Sequence, residues 1–290
     1  MTGLTPYRFA GRTAVVTGAA GGIGEQLAHG LAARGSDLVL ADRDALRLDE
    51  VAEALRAAYP GRAIEAVVVD LADREAVIAF ARGVRERHPR LGLLINNAGV
   101  ALGGRFDQVT VSEFEWVMAV NFTAPMLLMH HLLPSLTAEP GSHLVNISSL
   151  YGLIAPPGQS AYSASKFALR GLSEVLRGEL LENGVGVTTV HPGGVRTRIA
   201  ESARIAEGIP ADEVEEHQRL FAALLTYPPE KAAADILDGV RRRRGRLLIA
   251  PTAKLPDLLA RLMPESHMRL LAKVTEAVAR RGAAKVGVNK

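Results

Sequence analysis

Tyr162 and Lys166 are four positions apart in a stretch, Ser160 to Leu181, whose pattern predicts a helix. Residues at this spacing share one helix face, so the ammonium would lie beside the phenol. A nearby positive charge favours the phenolate and lowers the pKa of tyrosine from its usual value of about 10. The pair could then exchange a proton with a substrate near neutral pH. The alternative is an accidental pair on a helix surface.

A glycine-rich turn near the start of the sequence predicts a site for a phosphate group. The apolar run Ala14-Val15-Val16 predicts a strand, Thr17 to Gly24 read TGAAGGIG, and Ile23, Leu27 and Leu31 have helical spacing. A helix N-terminus after glycines offers an anion free N–H groups, a favourable dipole and no obstructing Cβ. The alternative is an ordinary tight turn between a strand and a helix.

The second predicted strand ends in a carboxylate, Asp42, about 20 residues beyond this turn. Such a carboxylate can accept hydrogen bonds from both ribose hydroxyls of an adenosine and would repel a 2′-phosphate. Arg43 follows it and could bind that phosphate, although a solvated surface charge is the simpler interpretation. The sequence therefore favours NAD over NADP and leaves NADP open.

Five motifs, in order, resemble those of the short-chain dehydrogenase/reductase family. They are TGxxxGxG from Thr17, Asn96-Asn97-Ala98-Gly99, Asn121, Ser149 with Tyr162-Ser-Ala-Ser-Lys166, and Pro192-Gly193. The resemblance covers roughly residues 11 to 200 and is carried by the joint match. It implies that a hydride moves between a nicotinamide cofactor and the carbon that bears the substrate oxygen.

The resemblance also implies a role for each residue of the chemical group. Tyr162 would pass a proton to or from the substrate oxygen, and Ser149 would hold that oxygen by a hydrogen bond. Lys166 would lower the pKa of Tyr162 and bind the nicotinamide ribose, while Asn121 would hold a water that links Lys166 to solvent. Ser148 is the rival for the serine role, and the register of the motif favours Ser149.

The cofactor contacts follow from the same resemblance. Asp70, at the end of the third strand, would meet the adenine edge, or it could cap the next helix, a role that Asp73 could fill instead. Ala98 and Gly99 are small enough for a cofactor to lie flat across the strand ends. The full expected set is Gly18, Gly22, Ile23, Gly24, Asp42, Arg43, Asp70, Leu71, Asn97, Ala98, Gly99, Tyr162, Lys166, Pro192, Gly193, Val195 and Thr197.

The elements that must position these residues alternate between strand-like and helix-like runs. This alternation predicts an α/β fold, a Rossmann-type doubly wound sheet of seven parallel strands with helices on both faces. Most strands are continuous apolar runs, as expected for strands buried on both faces. The predicted strands are Thr13–Thr17, Asp37–Ala41, Ala63–Val69, Leu91–Asn96, His143–Ile147, Val187–Val190 and Arg246–Ala250.

A long helix is predicted from about Val111 to Ala138. Ser112 and Glu115 are spaced as a capping box at its beginning. Pro125 and Pro134 lie inside it and should kink or end it, because proline lacks the backbone N–H and clashes with the preceding turn.

The composition limits the class of protein. The length of 290 residues suits one α/β domain, and no window approaches 18 uninterrupted apolar residues, so no spanning helix is expected. The start lacks the apolar core of a signal peptide, and the absence of cysteine excludes disulfides and thiolate metal sites. Eight histidines are scattered without metal-ligand order, so no metal is expected. We therefore expect a cytoplasmic protein.

The positive charge is concentrated at the end of the sequence. The last 50 residues hold 13 Lys and Arg against 3 Asp and Glu, and they include the run Arg241 to Arg244. We expect residues 1–250 to form the catalytic domain, with a substrate lid over about 199–225, and 251–290 to form a basic helical extension. In the extension, Leu270, Val274, Ala277 and Val278 predict an apolar face, opposite Arg269, Lys273, Glu276 and Arg280. Packing on the domain or on a sister subunit is favoured over contact with an anionic membrane surface, and nucleic-acid binding is not expected.

The expected substrate pocket is apolar. The residues expected to line it are small or apolar: Val100, Ala101, Leu150, Tyr151, Leu153, Gly193 and Gly194. Only Arg105 and Arg196 could hold an acidic group, so an apolar secondary alcohol or ketone is favoured. His191 has no recognisable Asp or Cys partner and is interpreted as a strand-end residue rather than a catalytic one.

The sequence therefore predicts an NAD(P)-dependent oxidoreductase that forms a homo-oligomer, a dimer or a tetramer. The alternative is a non-catalytic protein of the same fold that senses a nucleotide. The presence of Asn121, Ser149, Tyr162 and Lys166 together favours the enzyme.

Overall fold

A computed structural model describes residues 3–197, 203–209 and 225–270. Its main sheet has seven parallel strands in the order β3-β2-β1-β4-β6-β7-β9. Their bounds are β1 Thr13–Thr17, β2 Asp37–Asp42, β3 Ile64–Val68, β4 Leu93–Asn96, β6 His143–Ile147, β7 Gly186–Pro192 and β9 Arg246–Ile249. A separate pair joins β5 Leu102–Gly103 to β8 Arg204–Ile205. The predicted fold class is confirmed.

Eight α-helices flank or follow the strands within the described ranges. They are α1 Gly22–Ala32, α2 Ala45–Ala58, α3 Arg74–Arg87, α4 Val111–Met118, α5 Ala124–Thr137, α6 Ser160–Glu179, α7 Pro229–Arg241 and α8 Pro251–Leu262. One buried cluster joins α1, α2 and α7 to one face of the sheet, and a second joins α3, α5 and α6 to the other. Val15 and Val16 point into different clusters, which is why the strand reads as a continuous apolar run.

The strand order reverses between β1 and β4. Ligands of open parallel sheets bind in the crevice at such a reversal, beyond the carboxyl ends of the strands. The glycine turn follows β1 and the Asn96-Asn97-Ala98-Gly99 motif ends and follows β4, so both motifs border this crevice.

The strand bounds predicted from sequence are right for β1 and β6 and differ by up to two residues at the ends of the others. Strand β7 begins at Gly186 and continues through Pro192, because Pro192 pairs with Ile249 at the edge of β9. The pairing of β5 with β8 was not predicted, since each strand has only two residues.

The capping box was predicted two residues too late. Thr110 is the N-cap: its hydroxyl accepts from the Glu113 N–H at 3.3 Å, and Glu113 Oε2 accepts from the Thr110 N–H at 2.9 Å. Ser112 already lies inside the first turn of α4. Thr110 has the extended backbone that an N-cap requires, with ψ at 156°.

The two prolines do not end the helical run. A five-residue π-helical turn, Ala119–Thr123, joins α4 to α5, and the Ala124 N–H donates to the Ala119 carbonyl. This wider turn directly precedes Pro125, which lies in the first turn of α5 and needs no N–H partner there. Pro134 lies in the last turn before Thr137. Of the described helices, this run alone is long and apolar enough to cross a membrane, and half of it is buried inside the domain, as expected of a core helix.

The first helix of the predicted extension packs on the domain. Ala253 and Asp257 of α8 are buried, and Asp257 forms a two-point ion pair with Arg246 of β9. Leu255, Leu258 and Leu262 face outward and are exposed. The last part of the predicted extension lies outside the described residues, and it includes Lys273, Val274, Glu276, Ala277, Val278 and Arg280. Most of the predicted lid over 199–225 also lies outside them.

The run of four arginines is partly a structural feature. The guanidinium of Arg243 is buried and donates to the carbonyls of Thr5, Gly141 and Ser142. Arg241 and Arg242 form ion pairs with Asp238. These contacts tie the end of α7 to the amino end of β6, so the positive charge of this run does not form a free tail.

Candidate active site

Helix α6 brings Tyr162 and Lys166 to the carboxyl end of β6. Lys166 is buried, and its Nζ donates to the carbonyl of Ile147, the last residue of β6, at 3.1 Å. The same Nζ lies 5.7 Å from the centre of the Tyr162 ring. The predicted sharing of one helix face by the phenol and the ammonium is confirmed.

The structure distinguishes between the two candidate serines. The Ser149 hydroxyl lies close enough to the Tyr162 phenol to lower its pKa, and it accepts from the Tyr151 N–H at 3.1 Å. The Ser148 hydroxyl instead donates to the Lys166 carbonyl at 2.9 Å and is buried. Ser148 therefore holds helix α6 against β6, and Ser149 is the hydroxyl at the chemical group.

Asn121 lies in the π-helical turn, and its side-chain amide is fully engaged. Its Oδ1 accepts from the Val100 N–H at 2.8 Å, and its Nδ2 donates to the Val100 carbonyl at 3.0 Å and to the Ser165 hydroxyl at 3.1 Å. A Cβ added to Gly99 would lie 3.2 Å from Lys166 Nζ and 3.3 Å from Asn121 Oδ1. A side chain at position 99 would be tight against both atoms, so Asn121 and Lys166 pack closely on either side of Gly99.

The predicted lowering of the tyrosine pKa is wrong for the protein by itself. Burial raises the pKa of Tyr162 to about 12, although the hydrogen bond from Ser149 opposes the rise. Burial also lowers the pKa of Lys166 to about 8. Sequence spacing places the two groups together, but the cost of removing a charge from water is set by the packing around them.

The glycine turn has the geometry that an anion requires. Gly18 and Gly22 have positive φ angles of 66° and 57°, and a Cβ on Gly24 would lie 2.0 Å from the Gly18 carbonyl oxygen. Within the described ranges no side chain caps α1, whereas Asp44 and Asp73 cap α2 and α3. The first N–H groups of α1 are thus left for a ligand, which fits the phosphates of a dinucleotide.

Asn97 and Thr17 hold this turn in place. The Asn97 amide donates to the carbonyls of Thr17 and Gly18 at 2.9 and 3.1 Å. The Thr17 hydroxyl accepts from the N–H groups of Asn97 and Ala98 at 3.0 and 3.1 Å. Thr17 was not predicted as a site residue, although it is the first residue of the TGxxxGxG motif and a hydroxyl at the carboxyl end of an apolar strand.

Two acidic side chains mark the strand ends beyond the turn. Asp42 accepts from the N–H groups of Ala20 and Asp44 at 3.0 and 3.1 Å, one on each oxygen, and each oxygen keeps a second acceptor site. Asp70 accepts from the Ala72 N–H at 2.9 Å and does not cap α3. Arg43 is exposed, and the side chains of Ile23 and Leu71 lie in the apolar core.

The segment after β7 closes the other side of the crevice. A Cβ on Gly193 would lie 2.3 Å from the Thr252 hydroxyl oxygen, which accepts from the Gly194 N–H at 3.1 Å. Val195 forms a bridge with Tyr227, and the Cβ and the methyl carbon of Thr197 each lie 3.2 Å from where Gly22 would carry a Cβ. Thr197 is thus brought back towards the glycine turn. Thr252 was missed, because nothing local in the sequence predicts its contact with a loop 58 residues earlier.

The expected substrate side is mostly apolar. Ala101 and Leu153 are buried, and the Tyr151 ring meets the Tyr162 ring edge-on at 6.1 Å between centres. Arg105 is exposed and paired with Asp107, and Arg196 is exposed. In the described part of the chain, no three His, Cys, Asp or Glu residues are grouped as a metal site would require.

Comparison with known proteins agrees with this geometry. The family model for short chain dehydrogenases matches residues 12–208. SadH of Mycobacterium tuberculosis, which carries the provisional name of an oxidoreductase, is 40% identical over 91% of this chain and 95% of its own. Member 7B of the dehydrogenase/reductase SDR family from Mus musculus is 32% identical over 89% and 79%.

Solved structures lead to the same family. A short-chain dehydrogenase/reductase from Burkholderia phymatum, in complex with NAD, has a TM-score of 0.81 at 30% identity and covers 89% of this chain and 96% of that one. A short-chain dehydrogenase from Sphingobium yanoikuyae, in complex with NADPH, has a TM-score of 0.71 at 31% identity and covers 94% and 95%. With the family match, the sheet order and the motifs in agreement, this chain belongs to the short-chain dehydrogenase/reductase family of oxidoreductases.

Proposed function

We propose that this protein transfers a hydride between a nicotinamide cofactor and an apolar secondary alcohol or ketone, with Tyr162 as the acid/base. One observation carries the proposal: Ser149, Tyr162 and Lys166 meet at the carboxyl end of β6, in the same crevice as the glycine turn. The cofactor would supply the hydride acceptor or donor, and the protein supplies placement and electrostatics.

Each side chain then has a distinct task. Tyr162 exchanges a proton with the substrate oxygen, and the Ser149 hydroxyl, which lies beside the phenol, holds that oxygen. Lys166 uses one N–H on the Ile147 carbonyl and has two more for the nicotinamide ribose. Asn121 fixes the Val100 backbone and the π-helical turn, where we place the water that leads from Lys166 to solvent.

The raised pKa of Tyr162 bears on the pH dependence of the two directions of reaction. A phenol with a pKa of about 12 is protonated at neutral pH and is therefore a proton donor. That state suits reduction of a carbonyl, whose oxygen must gain a proton. Oxidation of an alcohol would require the phenolate, which burial of the phenol disfavours, so we propose that the rate of oxidation rises with pH.

For the cofactor we propose NAD, with NADP as the alternative. The cradle would be formed by Gly18, Gly22 and Gly24, and Asp42 would accept the ribose hydroxyls. Asp70 and Leu71 would meet the adenine, Asn97, Ala98 and Gly99 would lie along its path, and Pro192, Gly193, Val195 and Thr197 would border the nicotinamide. Similar proteins bind either cofactor: one complex contains NAD and another contains NADPH. The exposed Arg43 is the residue that would support NADP.

We also propose a cytoplasmic homo-oligomer in which residues 251–290 pack on the domain or on a sister subunit. Exposed apolar side chains support this: Phe167, Val175 and Leu181 on and after α6, and Leu255, Leu258 and Leu262 on α8. Sizing chromatography with light scattering would measure the assembly, and a monomer at micromolar concentration would contradict it.

A substrate panel tests the function. The purified protein is assayed with NAD(H) and NADP(H) against ketones and secondary alcohols of increasing apolar length, with 2-keto acids as the matched polar set. We expect reduction of apolar ketones, followed by the loss of nicotinamide absorbance. Tight cofactor binding without turnover of any compound would favour a nucleotide sensor, and a preference for keto acids would contradict the apolar pocket.

A further inference from the structure

We propose that His191 is a positioning residue for the reaction: its ring holds the carbonyl of Ser149 and so keeps the Ser149 hydroxyl at Tyr162. The inference rests on the proposed function, in which Ser149 holds the substrate oxygen. In this scheme His191 does not touch substrate and does not transfer a proton; it only donates a hydrogen bond.

The contact is short and buried. His191 Nδ1 lies 3.0 Å from the Ser149 carbonyl oxygen, and the side chain is entirely buried near the end of β7. A carbonyl oxygen can only accept, so Nδ1 must carry the proton. The hydrogen-bond partner thus assigns the tautomer with Nδ1–H and a bare Nε2.

The contact between His191 and Ser149 lies just beyond the end of the β6–β7 pairing. Strand β6 pairs with β7 as far as Ile147 and Val190, and the Ser148 N–H still donates to the Val190 carbonyl at 2.8 Å. Beyond that point the backbone ladder between the two strands ends. The ring of His191 extends the connection to Ser149, whose carbonyl also accepts from the Gly152 N–H at 3.0 Å. The residue that bears the reactive hydroxyl is therefore fixed by a side chain where the ladder no longer reaches.

The other ring nitrogen indicates that His191 does more than fill space. Nε2 is buried and has no hydrogen-bond partner among the residues that the structure describes. An unpaired buried polar atom is unfavourable, and a leucine would occupy the site without it. The favourable contact of this ring is the one to Ser149, so the bond to Ser149 is what the histidine provides.

The surroundings keep the ring neutral. Burial lowers the pKa of His191 to about 4, and the charged groups that face it are Arg246 on β9, Arg170 and Glu174 on α6, and Asp257 on α8. The two arginines oppose protonation, whereas Asp257 and the Ser149 carbonyl favour it. At neutral pH the ring is thus a fixed donor rather than an acid/base.

Variants of His191 separate donation from packing. His191→Leu keeps the bulk and removes the donor, and we expect kcat to fall about tenfold with little change in the Kd of the cofactor. His191→Asn retains an N–H near the position of Nδ1 and should restore kcat to within about threefold of the wild type. The matched control is His143→Leu, a buried histidine at the amino end of β6, bonded to Thr188 and Arg243, which should lower Tm without lowering kcat.

A double-mutant cycle tests whether His191 acts through Ser149. In a Ser149→Ala background, His191→Leu should have little further effect on kcat, because the hydroxyl to be positioned is already gone. An equal loss in both backgrounds, an unchanged kcat in His191→Leu, or equal impairment of the Leu and Asn variants would each overturn the proposal. Wild-type turnover in Ser149→Ala alone would remove Ser149 from the mechanism, and that distinct result would overturn the proposed function as well.

A measurement without turnover keeps the proposal testable if the variants fold poorly. Nitrogen-15 NMR of the wild-type histidine rings, assigned by the signal missing in His191→Asn, should show Nδ1–H and bare Nε2 between pH 7 and pH 5. The opposite tautomer at pH 7, with the proton on Nε2 and a bare Nδ1, would mean that His191 does not donate to Ser149.

Discussion

The two ends of the crevice are built from different materials. The cofactor end consists of backbone: glycines with positive φ at 18 and 22, the uncapped start of α1, and carbonyls held by Asn97. The chemical end consists of side chains: Lys166 and His191 are buried and Tyr162 is partly buried. Removal from water raises the pKa of Tyr162 and lowers those of Lys166 and His191.

The two ends are therefore sensitive to different kinds of substitution. A backbone cradle is destroyed by the addition of atoms, since its function is to let a ligand approach. A side-chain site is destroyed by the removal of atoms, since its function depends on one donor or one charge. Substitutions at the cofactor end should therefore impair cofactor binding, and substitutions at the chemical end should impair turnover.

The largest effect is expected for Tyr162→Phe. The substitution removes the proposed proton donor and keeps the packing of the ring, so turnover should fall by about 10²- to 10⁴-fold. Cofactor affinity should remain near that of the wild type, because Lys166 and the glycine turn are unchanged. Steady-state kinetics and a cofactor titration check both parts, and near-normal turnover would place the acid/base elsewhere.

Gly24→Ala should show the opposite pattern. The added Cβ would meet the Gly18 carbonyl at 2.0 Å, and backbone cannot yield as a flexible side chain would. We expect cofactor affinity to fall at least about tenfold, with a lower Tm. Gly171→Ala is the matched control in α6, where a Cβ meets nothing within 4 Å and should stabilise the helix by about 0.5–1 kcal/mol. Wild-type affinity and melting in Gly24→Ala would show that the turn is not close-packed.

Asp42→Ala should have a smaller effect, on cofactor choice alone. The wild type should bind NAD(H) more tightly than NADP(H), and the variant should narrow the ratio of the two Kd values by about tenfold, since hydrogen bonds and repulsion are lost together. Arg43→Ala provides the comparison and should leave the NAD(H) affinity unchanged. A wild-type preference for NADP(H) would show that Arg43 rather than Asp42 governs this end.

The smallest effect is expected for the pH dependence of stability, and it arises from His191 at the chemical end. His191 has a folded pKa of about 4 against an ordinary value of 6.5, so the unfolded chain binds more protons between those values. The stability that this group contributes is complete above pH 6.5 and is lost as the pH falls towards 4. Melting curves at pH 7, 6 and 5 should show a smaller fall in Tm for His191→Asn than for the wild type. Parallel curves for the two proteins would contradict the low pKa.

Much of this arrangement follows from local sequence. Apolar runs located β1, β4 and β6, and helical spacing placed Tyr162 beside Lys166, because these signals depend on near neighbours along the chain. Two overlapping capping boxes, from Thr110 and from Ser112, fit the same rule, and only the backbone of the folded chain distinguishes them.

What failed depends on distant parts of the chain. The sequence predicted a lowered pKa for Tyr162, whereas the structure raises it, because burial is a property of the whole fold rather than of residue spacing. Thr252, and the bond from His191 to Ser149, join residues 42 or more positions apart. The roles of such residues become visible only when strands from both halves of the sequence lie together.

The π-helical turn at Ala119–Thr123 affects how this chain can change in length. A turn closed over five residues behaves as an α-helix that has gained one residue. Deleting one residue here would let α4 and α5 join as a regular helix with their buried faces kept, while the backbone at Asn121 would turn by about 100°. The fold would survive such a deletion, and the amide that holds Val100 and Ser165 would be carried away from them. A deletion of one residue at this turn would therefore keep the fold and lose the arrangement of Asn121 at the site.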